Sequence, residues 1–263
     1  MKQTRFTPIE TCGLQVREPQ EGQTESRTIE GTPIVFGVRS VNLTPWSDTR
    51  EVYEVLEPGC ITNDLLQRSD VILNLNHSNM VPDVLGRCRD GKGTLSLELR
   101  ENKIGCRCEL PRTNNADDAL ELMRRGDITG MSFAFTDDYQ DSENGVSYER
   151  TDEKTEDGKE VWLRHVKRIT GLYDVAIVTH PAYEQTSVGT RETSDEIEKA
   201  IDEQLKREID FKNKETDEQK KAREDKEREE RELEEQAEKA REMQMHRLRS
   251  QRRHMIDNVI NNL

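Results

Sequence analysis

Gly130-Met131-Ser132-Phe133-Ala134-Phe135 alternates small and large side chains without a break. In an extended strand successive side chains point to opposite faces, so Met131, Phe133 and Phe135 share one face and Gly130, Ser132 and Ala134 the other. Three large apolar groups in register predict a strand that feeds a core. The small face predicts open space around the Ser132 hydroxyl, as a nucleophile approached by a polypeptide would need. By itself the hexapeptide reads first as an ordinary strand serine. Its partners decide.

Working outward, the stretch just before it predicts the best-defined helix of the body, Asn114 to Gly126. Ala116, Ala119, Leu120 and Met123 form one apolar stripe. Asn114 or Asn115 is placed to cap it, Arg124 and Arg125 suit the negative end of its dipole, and Gly126 suits the left-handed closing residue. Farther upstream the chain reads as short strands punctuated by turns: Thr28 to Val38, Glu51 to Leu56, Val71 to Leu75, Thr94 to Arg100 and Gly105 to Leu110. One short helix, Ile61 to Gln67, has Thr62 or Asn63 as its cap. Downstream, the polar stretch Asp137 to Lys159 reads as an exposed hairpin or flexible loop. Strands resume at Val161 to Val166 and at Leu172 to Thr179. The expected fold class is mostly β with flanking helices, an antiparallel sheet or barrel of α+β type.

Composition divides the chain. Of 263 residues, 36% are charged and only 32% hydrophobic, against roughly 25% and 45–50% for an ordinary soluble domain. Residues 1–191 carry most of the apolar groups, and 192–263 form a charged tail. The tail opens with a capping box, Thr193-Ser194-Asp195-Glu196, and a narrow stripe, Ile197, Ile201, Leu205 and Ile209. After a nearly apolar-free middle, leucines and isoleucines return towards Leu263 beside a basic patch, Arg247 to Arg253. The expectation is a helical or coiled-coil tail that self-associates. A net charge of −14 argues against broad nucleic-acid binding. No run suggests a membrane span or signal peptide. The five cysteines show no zinc-site spacing and read as reduced thiols.

Ser132 as a nucleophile would need a base and a group to orient it. His77 ends the apolar strand Val71 to Leu75, just before a loop, where a rigid backbone could hold its ring open to substrate. The third member has two candidates. Asp174 is a carboxylate in an otherwise apolar strand, costly unless paired; His180 ends that strand before Pro181. At ~3.3 Å per residue they lie roughly 20 Å apart, so both cannot touch His77. Asp174 is favoured and His180 stays open. A metal-dependent hydrolase lacks ligand spacing such as His-x-x-x-His.

Six motifs in order, Glu54-Val55-Leu56-Glu57-Pro58-Gly59, Leu75-Asn76-His77 with Leu85-Gly86-Arg87, Gly93-Thr94-Leu95, Arg125-Gly126-Asp127, Gly130-Met131-Ser132-Phe133 and Asp174 to Tyr183, resemble the prohead maturation proteases of tailed bacteriophages. The resemblance covers about residues 1 to 191. It departs at Cys60, where the family usually has a small residue followed by Phe. It implies an assemblin-like β-barrel, a serine endopeptidase needing no cofactor, and catalytic His77, Ser132 and Asp174, with His180 as the assemblin-style alternative. It further implies the major capsid protein and scaffold segments as substrates, inside the assembling procapsid in the host cytoplasm. The competing expectation is an inactive scaffolding protein built on the same body.

Overall fold

The computed structural model describes residues 2–7, 9–19, 21–22, 25–179, 194–211 and 228. In chain order the elements are β1 (Gln3–Phe6), α1 (Ile9–Cys12), β2 (Gln15–Val16), β3 (Thr28–Val35), β4 (Arg39–Asn42), β5 (Arg50–Leu56), α2 (Asn63–Arg68) and β6 (Asp70–Leu75). A 3₁₀ turn (Val81–Asp83) leads to β7 (Val84–Arg89), β8 (Lys92–Gly93), β9 (Leu95–Arg100) and β10 (Lys103–Glu109). Then come α3 (Asn114–Arg125), β11 (Gly130–Asp137), β12 (Val146–Lys154), β13 (Glu160–Val166) and β14 (Ile169–Val178). By its internal contacts the chain falls into two compact units, Met1–Ile201 and Asp202–Leu263.

The first unit is mostly β. Its strands form a six-stranded sheet, β1-β11-β14-β6-β7-β8, and two four-stranded sheets, β2-β3-β10-β9 and β12-β13-β5-β4. Pairing is antiparallel except for β14 with β6 and β13 with β5. Strand β11 lies between the edge strand β1 and β14. Met131, Phe133 and Phe135 join one hydrophobic cluster with residues of all three sheets, among them Ile34, Ile104, Leu56 and Ile177. Gly31 on β3 leaves room for Met131, since a Cβ there would lie 2.7 Å from its sulfur. Burying side chains of this size stabilises by about 1.5–3 kcal/mol each.

The helices follow the sequence signals with one exchange. Thr62 caps α2, its hydroxyl accepting the Leu65 N–H. Helix α3 buries Ala116, Ala119, Leu120 and Met123 and closes on Gly126 at φ 80°. Its N-cap is Thr113 rather than an asparagine. Asn115 instead donates to Asp83 of the 3₁₀ turn at 2.7 Å, a tertiary bond that local spacing does not reveal. The polar stretch expected as a hairpin or loop forms one: β12 pairs with β13 from Val146↔Val166 onward.

All five cysteines are free and buried, Cys12, Cys60, Cys88, Cys106 and Cys108. Among the described residues no helix is long and apolar enough to cross a membrane. Residues 194–201 are helical, with Ile197 and Ile201 buried and the Ser194 hydroxyl 3.4 Å from the Leu43 carbonyl. Ser47 donates to Glu198. The first two positions of the expected tail stripe are therefore covered within this unit. In the second unit residues 202–211 are helical, and Ile209 and Phe211 are exposed. The later tail expectations, the basic patch and the leucines towards Leu263, lie outside the described residues, as does His180.

Candidate active site

The six-stranded sheet brings three distant residues together by register. Ser132 on β11 pairs with Ala176 on β14, and Ala134 pairs with Asp174 two residues along. On the other side of β14, Asp174 pairs with Ile72 and Ile177 with Leu75, the last residue of β6. Two residues beyond β6 stands His77. Its ring returns over the sheet because Asn76 and His77 both adopt left-handed backbone, φ 49° and 58°. Two non-glycine residues in that region cost of order 1–3 kcal/mol each and persist only where the surroundings impose them. Here the Asn76 N–H donates to Ile177 O at 2.9 Å and the Ser78 N–H to Leu75 O at 2.9 Å. The Asn76 side-chain oxygen accepts the Thr179 N–H at 3.1 Å. The turn is held from both sides.

The result is a continuous chain of hydrogen bonds. His77 Nδ1 lies 2.6 Å from Asp174 Oδ1, and His77 Nε2 lies 2.6 Å from Ser132 Oγ. The carboxylate can only accept, so Nδ1 carries a proton and Nε2 is the nitrogen free to take one. Burial works to raise the Asp174 carboxyl. Hydrogen bonds and charge from His77 and Lys2 outweigh it and hold the group below the usual carboxylate range. Of the two third-member candidates, Asp174 lies beside His77, and His180 is outside the described residues.

Chemically, a hydroxyl whose proton can pass to an imidazole held by a carboxylate suits acyl transfer. Over residues 13–200 the chain matches the family described as caudovirus prohead serine protease. The chain belongs to that family. Among solved structures, the bacteriophage T4 capsid assembly protease gp21 is similar at 12% identity and a TM-score of 0.35, covering 66% of this chain and 95% of that one. No curated protein matches the chain.

For a prohead serine protease the surroundings of Ser132 are unlike the expectation in one respect. The small face is not open: Ser132 and Ala134 have no exposed surface. The edge strand β1 lies alongside, Phe6 opposite Ser132, and the Arg5 carbonyl accepts a hydrogen bond from Ser132 Oγ at 2.7 Å. With the His77 ring on its other side, the hydroxyl has two acceptors for its one proton.

Strand β1 was among the elements that sequence reasoning passed over, with α1, β2, β4, β7 and β8. It is fastened by a closed ring of buried polar groups. Arg5 donates to both oxygens of Glu54 at 2.8 and 2.9 Å, and Arg164 donates to Glu54 and to Asp137. Gln3 donates to Asp137 at 2.9 Å and accepts from Arg5 at 2.5 Å. Arg5, Glu54, Arg164 and Asp137 are all nearly inaccessible to solvent. Gln3-Thr4-Arg5-Phe6 holds a single apolar residue, so no hydrophobic alternation marks the strand, and nothing near it in sequence names its partners.

Proposed function

We propose that the chain is an active serine endopeptidase of procapsid maturation, with Ser132 as nucleophile, His77 as general base and Asp174 orienting the imidazole. What carries the reading is the pair of 2.6 Å links through His77 in a member of the prohead serine protease family. His77 Nε2 takes the serine proton as Oγ attacks a peptide carbonyl carbon, and the imidazolium returns it to the leaving amine as the C–N bond breaks. Water, deprotonated by the same nitrogen, then releases the acyl group. Asp174 stays ionised and steadies the charged ring. Backbone N–H groups must stabilise the oxyanion.

In this reading the three sheets around one core form an assemblin-like β-barrel with helices outside, and residues 1–191 are the peptidase domain. The substrates are scaffold segments, the extension of the major capsid protein and the chain's own tail, 192–263, which self-associates and recruits the enzyme to the shell. The setting is the assembling procapsid in the host cytoplasm. No cofactor takes part. The test is an intact-mass time course of the purified full-length chain, alone and with coat protein, beside Ser132→Ala. Shortening seen with wild type and absent from Ser132→Ala is the expected result. Equal shortening in both would remove Ser132 from the mechanism.

A second reading, an inactive scaffolding protein on the same body, draws support from the complete burial of Ser132. Under it neither protein shortens over time.

A further inference from the structure

Lys2 reaches the site from outside the three residues discussed so far. Its ammonium lies 2.9 Å from Asp174 Oδ2, the oxygen that His77 does not use. The Asp174 side chain is 4% exposed and that of Lys2 46%, so the carboxylate is buried while the lysine stem runs to the surface. Lys2 also sits 5.5 Å above the ring of Tyr173, the neighbour of Asp174 on β14. Both contacts of its charged end are thus with that strand.

We infer that Lys2 is a positioning residue of the reaction: by holding Oδ2 it fixes the Asp174 carboxylate so that Oδ1 is presented to His77. The inference rests on the reading of Ser132, His77 and Asp174 as the reacting group. A buried carboxylate oxygen with no donor is costly. Without Lys2 the Asp174 group would be free to rotate between its two oxygens or to admit water at Oδ2. Either change loosens the imidazole, and small displacements of a base cost rate.

The lysine is delivered by construction. Strand β1 is in register with β11 from Gln3↔Phe135 to Phe6↔Ser132. The buried ring through Arg5 and Gln3 keeps it there. The groups facing Asp174 are few. The turn after β6 presents His77, β6 itself pairs the uncharged Ile72 with Asp174, Lys2 comes from the residue just before β1, β11 presents Ser132 and the uncharged Ala134, and β14 itself carries Tyr173. The guanidinium of Arg5 is turned away to Glu54. Lys2 is therefore the one fixed cation on this carboxylate among the described residues, and its charge opposes formation of the imidazolium.

The experiment reads nucleophile reactivity without needing a natural substrate. A fluorophosphonate probe forms a bond from Ser132 Oγ to phosphorus; fluoride leaves, and His77 takes the serine proton. Labelling rates of the full-length chain are measured across the range in which imidazole titrates. Lys2→Met is expected to slow labelling about three- to tenfold, the cost of a loosened base. It should also move the acid limb of the profile up by about half to one unit, because the imidazolium gains when the neighbouring cation is gone. Lys2→Arg should retain most of the wild-type rate. In an Asp174→Asn background Lys2→Met should add nothing, which a merely structural role for β1 would not produce. If Ser132 labels and Lys2→Met tracks wild type in rate and acid limb, the role of Lys2 is overturned while the triad stands. The same holds if Lys2→Met slows Asp174→Asn as much as it slows wild type. If wild type labels no faster than Ser132→Ala, both fall together.

Discussion

Two histidines of the body each hold a carboxylate at 2.6 Å, and the two corners differ in almost everything else. His77 stands on a left-handed turn past the end of β6, against an Asp174 side chain only 4% exposed, with the Ser132 hydroxyl on its far nitrogen. His165 sits inside β13, its Nδ1 on Glu57, whose side chain is 35% exposed. Its Nε2 lies 3.1 Å from a Glu149 oxygen without a hydrogen bond. Carboxylates cannot donate, so neither of these two contacts offers His165 a proton to take. His77 has one. A close histidine–carboxylate contact therefore marks a base only when the far nitrogen meets a group that can give up a proton and the carboxylate is shielded from water.

The contrast is most easily broken by activity. Ser132→Ala and His77→Ala should each lower peptide cleavage by about 10⁴-fold or more, with the fold intact by circular dichroism. His165→Gln should cleave coat protein at the wild-type rate. A loss at His165 equal to that at His77 would show that the two corners do not differ in kind. Next in size, Asp174→Asn should cost about 10²–10⁴-fold, because an amide in place of the carboxylate upsets the tautomer and no longer steadies the imidazolium. Glu57→Gln, the matching change at the other corner, should leave turnover unaltered.

Burial sharpens the same comparison in stability. Arg164→Met breaks the buried ring, taking the cation from Asp137 and leaving Glu54 to Arg5 alone, and should cost about 3–5 kcal/mol by urea unfolding. Removing the exposed Glu149 partner of His165 should cost about 0–1 kcal/mol. The smallest effect is in acid. The Asp174 carboxyl is held below its ordinary value in the folded protein. Its contribution is present above the unfolded carboxylate range and is lost as pH falls through the folded value. The difference in urea midpoint between wild type and Asp174→Asn should shrink on acidification below about pH 4. A difference that grows there would reverse the sign assigned to this group.

What was legible in the sequence was whatever repeats locally. Alternation fixed β11 and which of its residues enter the core, and the apolar stripe with Gly126 fixed α3. His77 and Asp174 stood out as polar residues at the end of, or inside, apolar strands, and both lie at Ser132's side of the sheet. What could not be read depended on partners far along the chain. Arg5 is 49 residues from Glu54, and Lys2 is 172 from Asp174, so β1 carried no hint that it would flank the serine. The space beside Ser132 was inferred from side-chain size alone, which says nothing about a neighbouring strand filling it. Ile197 and Ile201 were read as a stripe for pairing with another chain, since periodicity shows that a face is apolar but not what covers it. Here both are buried, in the unit that ends at Ile201.

The five buried thiols carry a consequence of a different sort. Burial pushes each of them up, Cys60, Cys106 and Cys108 to about 12, and a reagent for cysteine needs thiolate at a surface. The intact body should therefore react slowly with alkylating agents, and each modified cysteine would record that its own neighbourhood has opened. They are spread over α1, the turn after β5, β7 and β10. The order in which they react, read by mass, is a clock built into the chain, and whichever thiol is struck first names the part of the fold that gives way first.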